Sequence, residues 1–264
     1  MPGCQLNIDK RGVGSIILDR PEQHNAFDDA LIGELIEIID RLAGDDSVRI
    51  VVLRAEGKSF SAGADLNWMR RMADYDQDQN LADALQLAEL MRCLNALPKP
   101  VIARVQGAAF GGGVGLVACC DIALASDRAL FSLSEVKLGL IPAVISPYVV
   151  RAIGERAARR YMLSAERFDA REAGLLGLVH EVVEHEALDS SLESMLETLL
   201  DCGPGAQAAA KDLILDVAAK TIDRALIENT ARRIATVRAS DEGREGLNAF
   251  LEKRRPDWVK SSDV

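Results

Sequence analysis

The stretch Gly107-Ala-Ala-Phe-Gly-Gly-Gly-Val-Gly-Leu116 decides the fold of this chain. It follows the apolar run of residues 100–105, which is typical of a short buried strand, and it precedes residues 116–120, which are typical of a buried helix. A strand, a glycine turn and a helix in succession direct free backbone N–H groups at a ligand. Such amides suit an anion, or an oxygen that becomes anionic during a reaction. The alternative is that these glycines only allow close packing of the helix on the strand.

Two common glycine-rich motifs do not match this stretch. Gly111-Gly-Gly-Val-Gly115 lacks the spacing of the dinucleotide-binding fingerprint, and no acidic residue follows a second strand at the expected distance. No Gly-Lys-Ser/Thr sequence follows either, which excludes a P-loop.

The composition favours one large domain, with room for a small appendage. The chain has 264 residues, of which 48% are hydrophobic, and its formal net charge is −10. This charge argues against general binding of nucleic acids or anionic membranes, so an anionic ligand would need a local basic patch. No apolar run is long enough to span a membrane, and the N-terminus lacks the basic and apolar regions of a signal peptide. We therefore expect a soluble, cytoplasmic protein.

The cysteines and histidines do not indicate a metal site. Three histidines are too few for a histidine-rich site, and the spacing of the five cysteines fits no zinc template. Their odd number and apolar surroundings predict reduced, buried thiols.

Short strands alternate with helices along the chain, which predicts an α/β architecture with a helical C-terminal part. Strands are expected at residues 6–8, 13–18, 48–53, 100–105, 121–125, 129–131 and 177–183, the first two as a hairpin. Helices are expected at 28–43, 66–72, 81–97, 146–153, 155–163, 169–173 and from 186 to about 253 with a break at 202–205. The polar residues 74–80 are expected to form a mobile surface segment.

A second small-residue turn resembles the first in kind. Ala62-Gly-Ala-Asp65 joins a strand to a helix, so the N–H of Ala64 can be free and directed, as can that of Gly112. Two amides that converge on one carbonyl oxygen make an oxyanion hole. The strongest general acid/base candidate just downstream is Glu135. Alternatively, Glu135 is a solvated carboxylate whose charge only stabilises the N-terminus of a helix.

Nine stretches together resemble the crotonase superfamily, the enoyl-CoA hydratase/isomerase group, in the family order and over almost the whole chain. They are Leu18-Asp-Arg-Pro-Glu-Gln-His-Asn-Ala26, Phe60-Ser-Ala-Gly-Ala-Asp-Leu66, Gly107-Ala-Ala-Phe-Gly-Gly-Gly113, Cys120-Asp-Ile122, residues 131–135, Leu138-Gly-Leu-Ile-Pro142, Asp169-Ala-Arg-Glu-Ala-Gly174, Gly177-Leu-Val179 and Phe250-Leu-Glu-Lys-Arg254. The resemblance implies a crotonase (ClpP-like) spiral of ββα units on two roughly perpendicular sheets. It assigns residues 1–200 to this core and residues 201–264 to a helical region that forms homotrimers, often paired into hexamers.

The resemblance also assigns the site, with an acyl-CoA thioester as substrate. By position, Ala64 and Gly112 supply the oxyanion-hole amides and Glu135 acts as the general acid/base. The loops that hold the CoA moiety are expected to contribute Gln23, His24, Ala26, Ala62, Ala64, Asp65 and Leu66. Phe250 and Lys253 match positions that reach CoA, often from a neighbouring subunit. Trp68, Met69, Met72 and the Pro142 loop are expected to shape the acyl pocket. No metal and no separate cofactor is implied, because coenzyme A is part of the substrate.

One departure from the family pattern bears on the reaction. Typical hydratases carry two glutamates that share one water, and the position of the first is Gly115 here. A single glutamate can move a proton between C2 and C4, as in Δ3,Δ2-enoyl-CoA isomerases. It can also manage syn hydration or dehydration if groups of the substrate hold the water. The missing carboxylate leaves open a third reading, a non-catalytic homologue that binds CoA esters or a partner chain.

A finer resemblance favours hydration of a branched substrate. Residues 60–70 and 134–148 resemble bacterial methylglutaconyl-CoA hydratases of leucine degradation and the related carboxygeranoyl-CoA hydratases. Where ordinary crotonases continue with a glycine-rich turn after Pro142, this chain has the bulkier Ala143-Val-Ile-Ser-Pro147. The resemblance therefore predicts 3-methylglutaconyl-CoA as substrate. Candidates for binding its carboxylate are Arg70, Arg71, His24 and Lys137.

Overall fold

A computed structural model describes residues 3–259 of the chain; the ends of the two expected regions, residues 1–2 and 260–264, lie outside it. The strands are β1 (Cys4–Ile8), β2 (Val13–Leu18), β3 (Ile50–Ala55), β4 (Ser59–Ser61), β5 (Val101–Val105), β6 (Ala108–Phe110), β7 (Ile122–Ser126), β8 (Leu130–Ser132), β9 (Phe168–Asp169) and β10 (Glu181–Val183). The helices are α1 (Asp29–Gly44), α2 (Leu66–Met72), α3 (Gln77–Ala96), α4 (Gly112–Cys119), α5 (Ser146–Ser164), α6 (Ala170–Leu176), α7 (Leu188–Leu200), α8 (Pro204–Val217), α9 (Arg224–Ala239) and α10 (Asp241–Glu252).

Two sheets organise these elements. The larger has the order β1-β2-β3-β5-β7-β10, in which β1 and β2 form an antiparallel hairpin and every other pair is parallel. The smaller has the order β4-β6-β8-β9 and is parallel except for its last pair. Parallel neighbours require crossover connections, and α1, α3, α4 and the pair α5–α6 lie within them. The central strands β3 and β5 are apolar along their length because α1 and α4 pack on the larger sheet and α7 covers its other face.

The decisive stretch folds as expected, with β5 and β6 leading through the glycine turn into α4. Asp28 caps α1, because its side chain accepts a hydrogen bond from the Leu31 N–H. The hairpin at the N-terminus and the helix at 66–72 are likewise confirmed.

The polar residues 74–80 lie at the surface as expected, but residues 77–80 belong to helix α3 instead of to a separate segment. Asp76 and Gln79 form a capping box, in which each side chain accepts a hydrogen bond from the other residue's backbone N–H. The helix α3 therefore begins at Gln77 rather than at residue 81.

Two further boundaries differ from the expectation for local reasons, and one cysteine differs in its burial. Gly177 ends α6 in a left-handed conformation, so only Glu181–Val183 of the expected strand 177–183 pair with β7. The two helices expected at 146–163 form α5 with one non-helical residue, Gly154, between them. Cys202 is exposed, contrary to the expectation of buried thiols.

Candidate active site

The N-terminus of α4 forms one side of the candidate site. Gly111 precedes the helix with φ +51°, a conformation that favours glycine, and its N–H donates to the Ser132 carbonyl at 2.8 Å. Gly112 is the first residue of the helix. Its N–H has no acceptor among residues 3–259, because the first amides of a helix have no partner within it. The sequence prediction of a free amide at Gly112 agrees with this geometry.

The turn at residues 62–65 lies directly against the first. A methyl group on Gly63 would lie 2.9 Å from the Phe110 carbonyl oxygen, so the two turns are in contact. The N–H of Ala64 also has no acceptor in the described part of the chain. Ala64 and Gly112 are both half-buried, which leaves their amides accessible to a ligand.

Phe27, which the sequence analysis did not single out, connects the two turns. Its N–H donates to the Gly63 carbonyl at 2.9 Å, and its carbonyl accepts from the Asp65 N–H at 3.0 Å. Its ring lies so close to Gly112 that a methyl group there would be 2.3 Å from the Phe27 Cζ atom. The buried Phe27 therefore sets the spacing between the two free amides.

The Glu135 carboxyl lies over the same helix N-terminus. Glu135 begins a short 3-10 helix (Glu135–Leu138), and its Oε1 atom would be 3.1 Å from a methyl group on Gly111. Its Oε2 atom is buried and has no hydrogen-bond partner among the described residues. Burial raises the pKa of the Glu135 carboxyl above its ordinary value, and a hydrogen bond from its own backbone N–H offsets only part of this. A half-buried carboxyl with a raised pKa and an unused oxygen has the properties of a general acid/base.

The loop with Gln23, His24 and Ala26 joins the loop with Ala62 and Asp65. The His24 carbonyl accepts from the Ala62 N–H at 2.9 Å. The predicted CoA-binding residues of both loops, Leu66 included, are therefore brought together beside the free amides.

The buried Asn25, a second residue that the analysis passed over, fixes this loop. Its side chain donates to the Glu56 and Ser59 carbonyls at 2.8 Å and accepts from the Arg20 N–H at 2.9 Å. Asn25 also adopts φ +53°, which asparagine tolerates better than most residues. Its place inside the quoted motif was the signal that could have indicated this role.

Trp68 is buried in the core beside the site, and its expected part in shaping the acyl pocket stays a prediction. It is 3% exposed, and its ring packs against Phe27 with 6.4 Å between centroids. Its indole N–H donates to Asp83 at 2.9 Å. Asp65 caps α2 by accepting from the Asn67 and Trp68 N–H groups, which gives this side chain a structural role at the site.

The segment after Glu135 forms an apolar border. Pro142 is buried, whereas Leu138, Leu140 and Ile141 are exposed. Such neighbouring apolar side chains suit contact with an acyl chain or with another protein surface.

Phe250 and Lys253 lie at the end of α10, which packs on α8 and α9. Both side chains are exposed, and the structure does not bring them to the two loops or to Glu135. Their contact with CoA stays a prediction that involves a neighbouring subunit.

The four candidates for binding a substrate carboxylate differ in their contacts. Arg71 forms an ion pair with Asp29, and Arg70 donates to Asn67. The His24 ring lies 3.1 Å from the Ser59 hydroxyl. Lys137 is exposed, forms no ion pair within residues 3–259 and stands two residues from Glu135.

The structure also bears on metals and membranes. Among residues 3–259, no three His, Cys, Asp or Glu side chains are grouped so that they could hold a metal ion. No helix in that range combines the length and the apolar character needed to cross a membrane.

Comparison with known proteins shows the family of this chain. Residues 9–261 match the family model described as enoyl-CoA hydratase/isomerase. A solved structure of an enoyl-CoA hydratase from Shewanella pealeana superposes with a TM-score of 0.94 at 51% identity, covering 97% of this chain and 96% of that one. The 2,3-dehydroadipyl-CoA hydratase of Escherichia coli is 33% identical, over 92% of this chain and 93% of its own. The mitochondrial Delta(3,5)-Delta(2,4)-dienoyl-CoA isomerase of Dictyostelium discoideum is 31% identical, over 94% and 88%.

Proposed function

Because the chain belongs to the enoyl-CoA hydratase/isomerase family and has its crotonase fold, we propose that this enzyme adds water across the C2–C3 bond of an enoyl-CoA, or removes it. Its relatives named enoyl-CoA hydratases are lyases. One observation carries the proposal: the Glu135 carboxyl, with its buried and unpartnered Oε2, is held beside two free amides.

The arrangement supports a simple sequence of bond changes. The thioester oxygen accepts hydrogen bonds from the Ala64 and Gly112 N–H groups, which stabilise the enolate as negative charge develops on that oxygen. The water oxygen bonds to C3, Glu135 takes a proton from that water, and the same carboxyl delivers a proton to C2. Dehydration reverses these steps. The raised pKa of Glu135 suits a group that must both accept and release a proton near neutral pH.

We propose 3-methylglutaconyl-CoA as the substrate, hydrated to 3-hydroxy-3-methylglutaryl-CoA in leucine or isoprenoid acid catabolism. The resemblance of residues 60–70 and 134–148 supports this choice. Lys137 supports it as well, because an exposed cation without an ion pair in the described chain could bind the substrate carboxylate. No separate cofactor is needed, since the thioester makes the α-carbon acidic.

The decisive experiment incubates the enzyme with 3-methylglutaconyl-CoA in H₂¹⁸O, beside crotonyl-CoA and a 3-enoyl-CoA, and analyses the products by mass spectrometry. Uptake of ¹⁸O into a 3-hydroxy-3-methylglutaryl product supports the proposal. If only crotonyl-CoA is hydrated, the proposed hydratase reaction is supported, but 3-methylglutaconyl-CoA is rejected as the substrate.

The second candidate is a Δ3,Δ2-enoyl-CoA isomerase. Gly115 favours it, because no side chain at that position can orient a water beside Glu135. Conversion of the 3-enoyl-CoA without uptake of ¹⁸O would select this reaction. Binding of CoA esters without turnover of any substrate would instead identify a non-catalytic homologue.

We further propose that the chain acts as a cytoplasmic homotrimer or as a hexamer of two trimers. The C-terminal helices expose large apolar side chains, among them Ile227 and Ile234 of α9 and Phe250 and Leu251 of α10. A second copy of the chain that covers this face could also bring Phe250 and Lys253 to a neighbouring CoA site.

A further inference from the structure

Gly115 and Ile145 occupy each other's space. A methyl group on Gly115 would lie 2.2 Å from Cγ2 of Ile145, 2.8 Å from its Cβ and 3.3 Å from the Met91 sulfur. Ile145 is 2% exposed, so its side chain is enclosed at this contact. Ile145 can therefore reach the helix backbone only because residue 115 is a glycine and has no side chain.

Ile145 and Glu135 both lie against the N-terminal part of α4, at positions one helical turn apart. The Gly115 N–H lies 3.3 Å from the Gly111 carbonyl oxygen, which places the two glycines one helical turn apart. The Glu135 carboxyl lies over Gly111, and Ile145 lies over Gly115. Both ends of the segment 135–145 are thus in contact with the helix that carries the Gly112 amide.

The segment between these two contacts is itself held in place. The Leu140 N–H donates to the Glu135 carbonyl at 3.1 Å, and the Ser146 hydroxyl donates to the Ala143 carbonyl at 2.8 Å. Displacement of Ile145 would consequently be transmitted along the chain to Glu135.

We propose that Ile145, seated on Gly115, is a positioning residue that holds the segment 135–145 and so keeps the Glu135 carboxyl over the N-terminus of α4. The proposal rests on the proposed function, since it gives a role to a side chain that touches no reacting atom. Loss of the contact releases the carboxyl toward solvent and away from the free amides.

No charged group of the surrounding elements causes the raised pKa of Glu135, whose only raising cause is burial. Lys137 of the same turn is exposed, and Arg167 lies over the Phe110 ring. Tyr148 and Arg151 of α5 lie near Cys119 at the other end of α4. Release of the carboxyl toward solvent should therefore move its pKa back toward the ordinary value.

The test compares Ile145→Ala with Ile145→Val and with Ile153→Ala, which removes the same atoms from a buried position elsewhere on α5. Ile145→Ala should lower kcat about 10²-fold, because small displacements of catalytic groups have effects of that size. It should shift the acidic limb of the kcat–pH profile to lower pH and leave the dissociation constant for a CoA ester unchanged. Ile145→Val should keep most of the activity and the profile, and Ile153→Ala should change stability alone.

Gly115→Ala perturbs the same contact from the other side. It should reproduce the loss of kcat and the shift of the profile with Ile145 unchanged. Its matched control is Gly33→Ala in α1, where nothing lies within 4 Å of the added methyl group. Equal effects of Ile145→Ala and Ile153→Ala on kcat and on the profile would overturn the proposal.

An infrared titration keeps this result separate from the proposed function. The band of the protonated Glu135 carboxyl, identified by its loss in Glu135→Gln, reports the pKa without any turnover. If the unmodified protein converts no enoyl-CoA, the proposed function fails, and this titration still decides the inference. A band that titrates at the same pH in Ile145→Ala as in Ile153→Ala would refute the role of Ile145.

Discussion

Glu135 combines partial burial with an oxygen that has no hydrogen-bond partner within residues 3–259. Buried polar atoms are normally paired because an unpaired one destabilises the fold. The unpaired oxygen is consistent with a carboxyl that binds its partner only when the substrate is present.

Replacement of this carboxyl tests its chemical role. Glu135→Gln should lower kcat/KM by about 10²–10⁴-fold, the usual contribution of a general acid/base. The CoA-binding loops are unchanged in this variant, so titration calorimetry with a CoA ester should give the unmodified affinity. Glu155→Gln, an exposed glutamate on α5, is the control and should keep full activity. Near-normal turnover by Glu135→Gln would contradict the assigned role.

The raised pKa of Glu135 has a consequence for stability. A carboxyl whose pKa is higher in the folded than in the unfolded state binds protons more tightly when folded. Its contribution is therefore most favourable below the unfolded pKa and declines as pH rises through the raised folded pKa. Glu135→Gln should be more stable than the unmodified protein in urea unfolding, and the difference should grow as pH rises from below the ordinary pKa of a glutamate to above the raised pKa of Glu135. A difference that shrinks with rising pH would contradict the direction of the shift.

At the scale of elements, the N-terminus of α4 is the organising feature, and three segments from other parts of the chain contact it. Phe27 lies against Gly112, Glu135 against Gly111 and Ile145 against Gly115. Each contact is possible because glycine has no side chain. The glycines therefore allow close packing and also leave a backbone amide free for a ligand. The packing interpretation is thus confirmed, and the role of the free Gly112 amide in ligand binding stays a prediction.

Gly111 differs from Gly112 and Gly115 in its backbone conformation, which has a positive φ. Gly111→Ala should lower the free energy of unfolding by about 1–3 kcal/mol, because φ +51° and ψ −120° define a backbone conformation that residues with a side chain rarely adopt. It should also lower kcat, because the methyl group lies 3.1 Å from the Glu135 Oε1 atom. Gly154 also has a positive φ, and nothing lies within 4 Å of a methyl group added there. Gly154→Ala should therefore lower stability and leave kcat unchanged. Equal kcat in the two variants would show that Gly111 does not position the carboxyl.

Local patterns explain which parts of this site could be predicted from the sequence. The strand, turn and helix around residues 107–116, the cap at Asp28 and the free amides of Ala64 and Gly112 all follow from rules about neighbouring residues. Phe27, Asn25 and Ile145 act through partners that are distant in the chain, and single-sequence periodicity carries no information about such pairs. The burial of Trp68 could not be predicted for the same reason, because its core partner Phe27 and its acceptor Asp83 lie outside its own helix.

At the scale of the whole molecule, the C-terminal helices leave apolar side chains in solvent. Ile227 and Ile234 are both exposed and stand seven residues apart on α9, which places them on one face of the helix. A buried aliphatic side chain contributes about 1.5–3 kcal/mol, so even a few of them support assembly.

A charge on this face should therefore weaken the assembly. Ile234→Glu should shift the protein from trimers toward monomers in sedimentation velocity, with unchanged helical content by circular dichroism. Thr236→Glu adds the same charge two positions along the helix, on a different face, and should remain assembled. An unmodified protein that sediments as a monomer, or identical behaviour of both variants, would reject the interface.

The parallel order of the larger sheet affects how the enzyme folds while it is being synthesised on the ribosome. The β1–β2 hairpin can form as soon as it emerges, but each later strand pairs with a neighbour only after an entire crossover has been synthesised. The loops at residues 23–27 and 61–65 therefore exist for some time before Glu135 has been translated. During that interval the apolar edge of β3 that later pairs with β5 has no partner, and such an edge favours aggregation of the nascent chain.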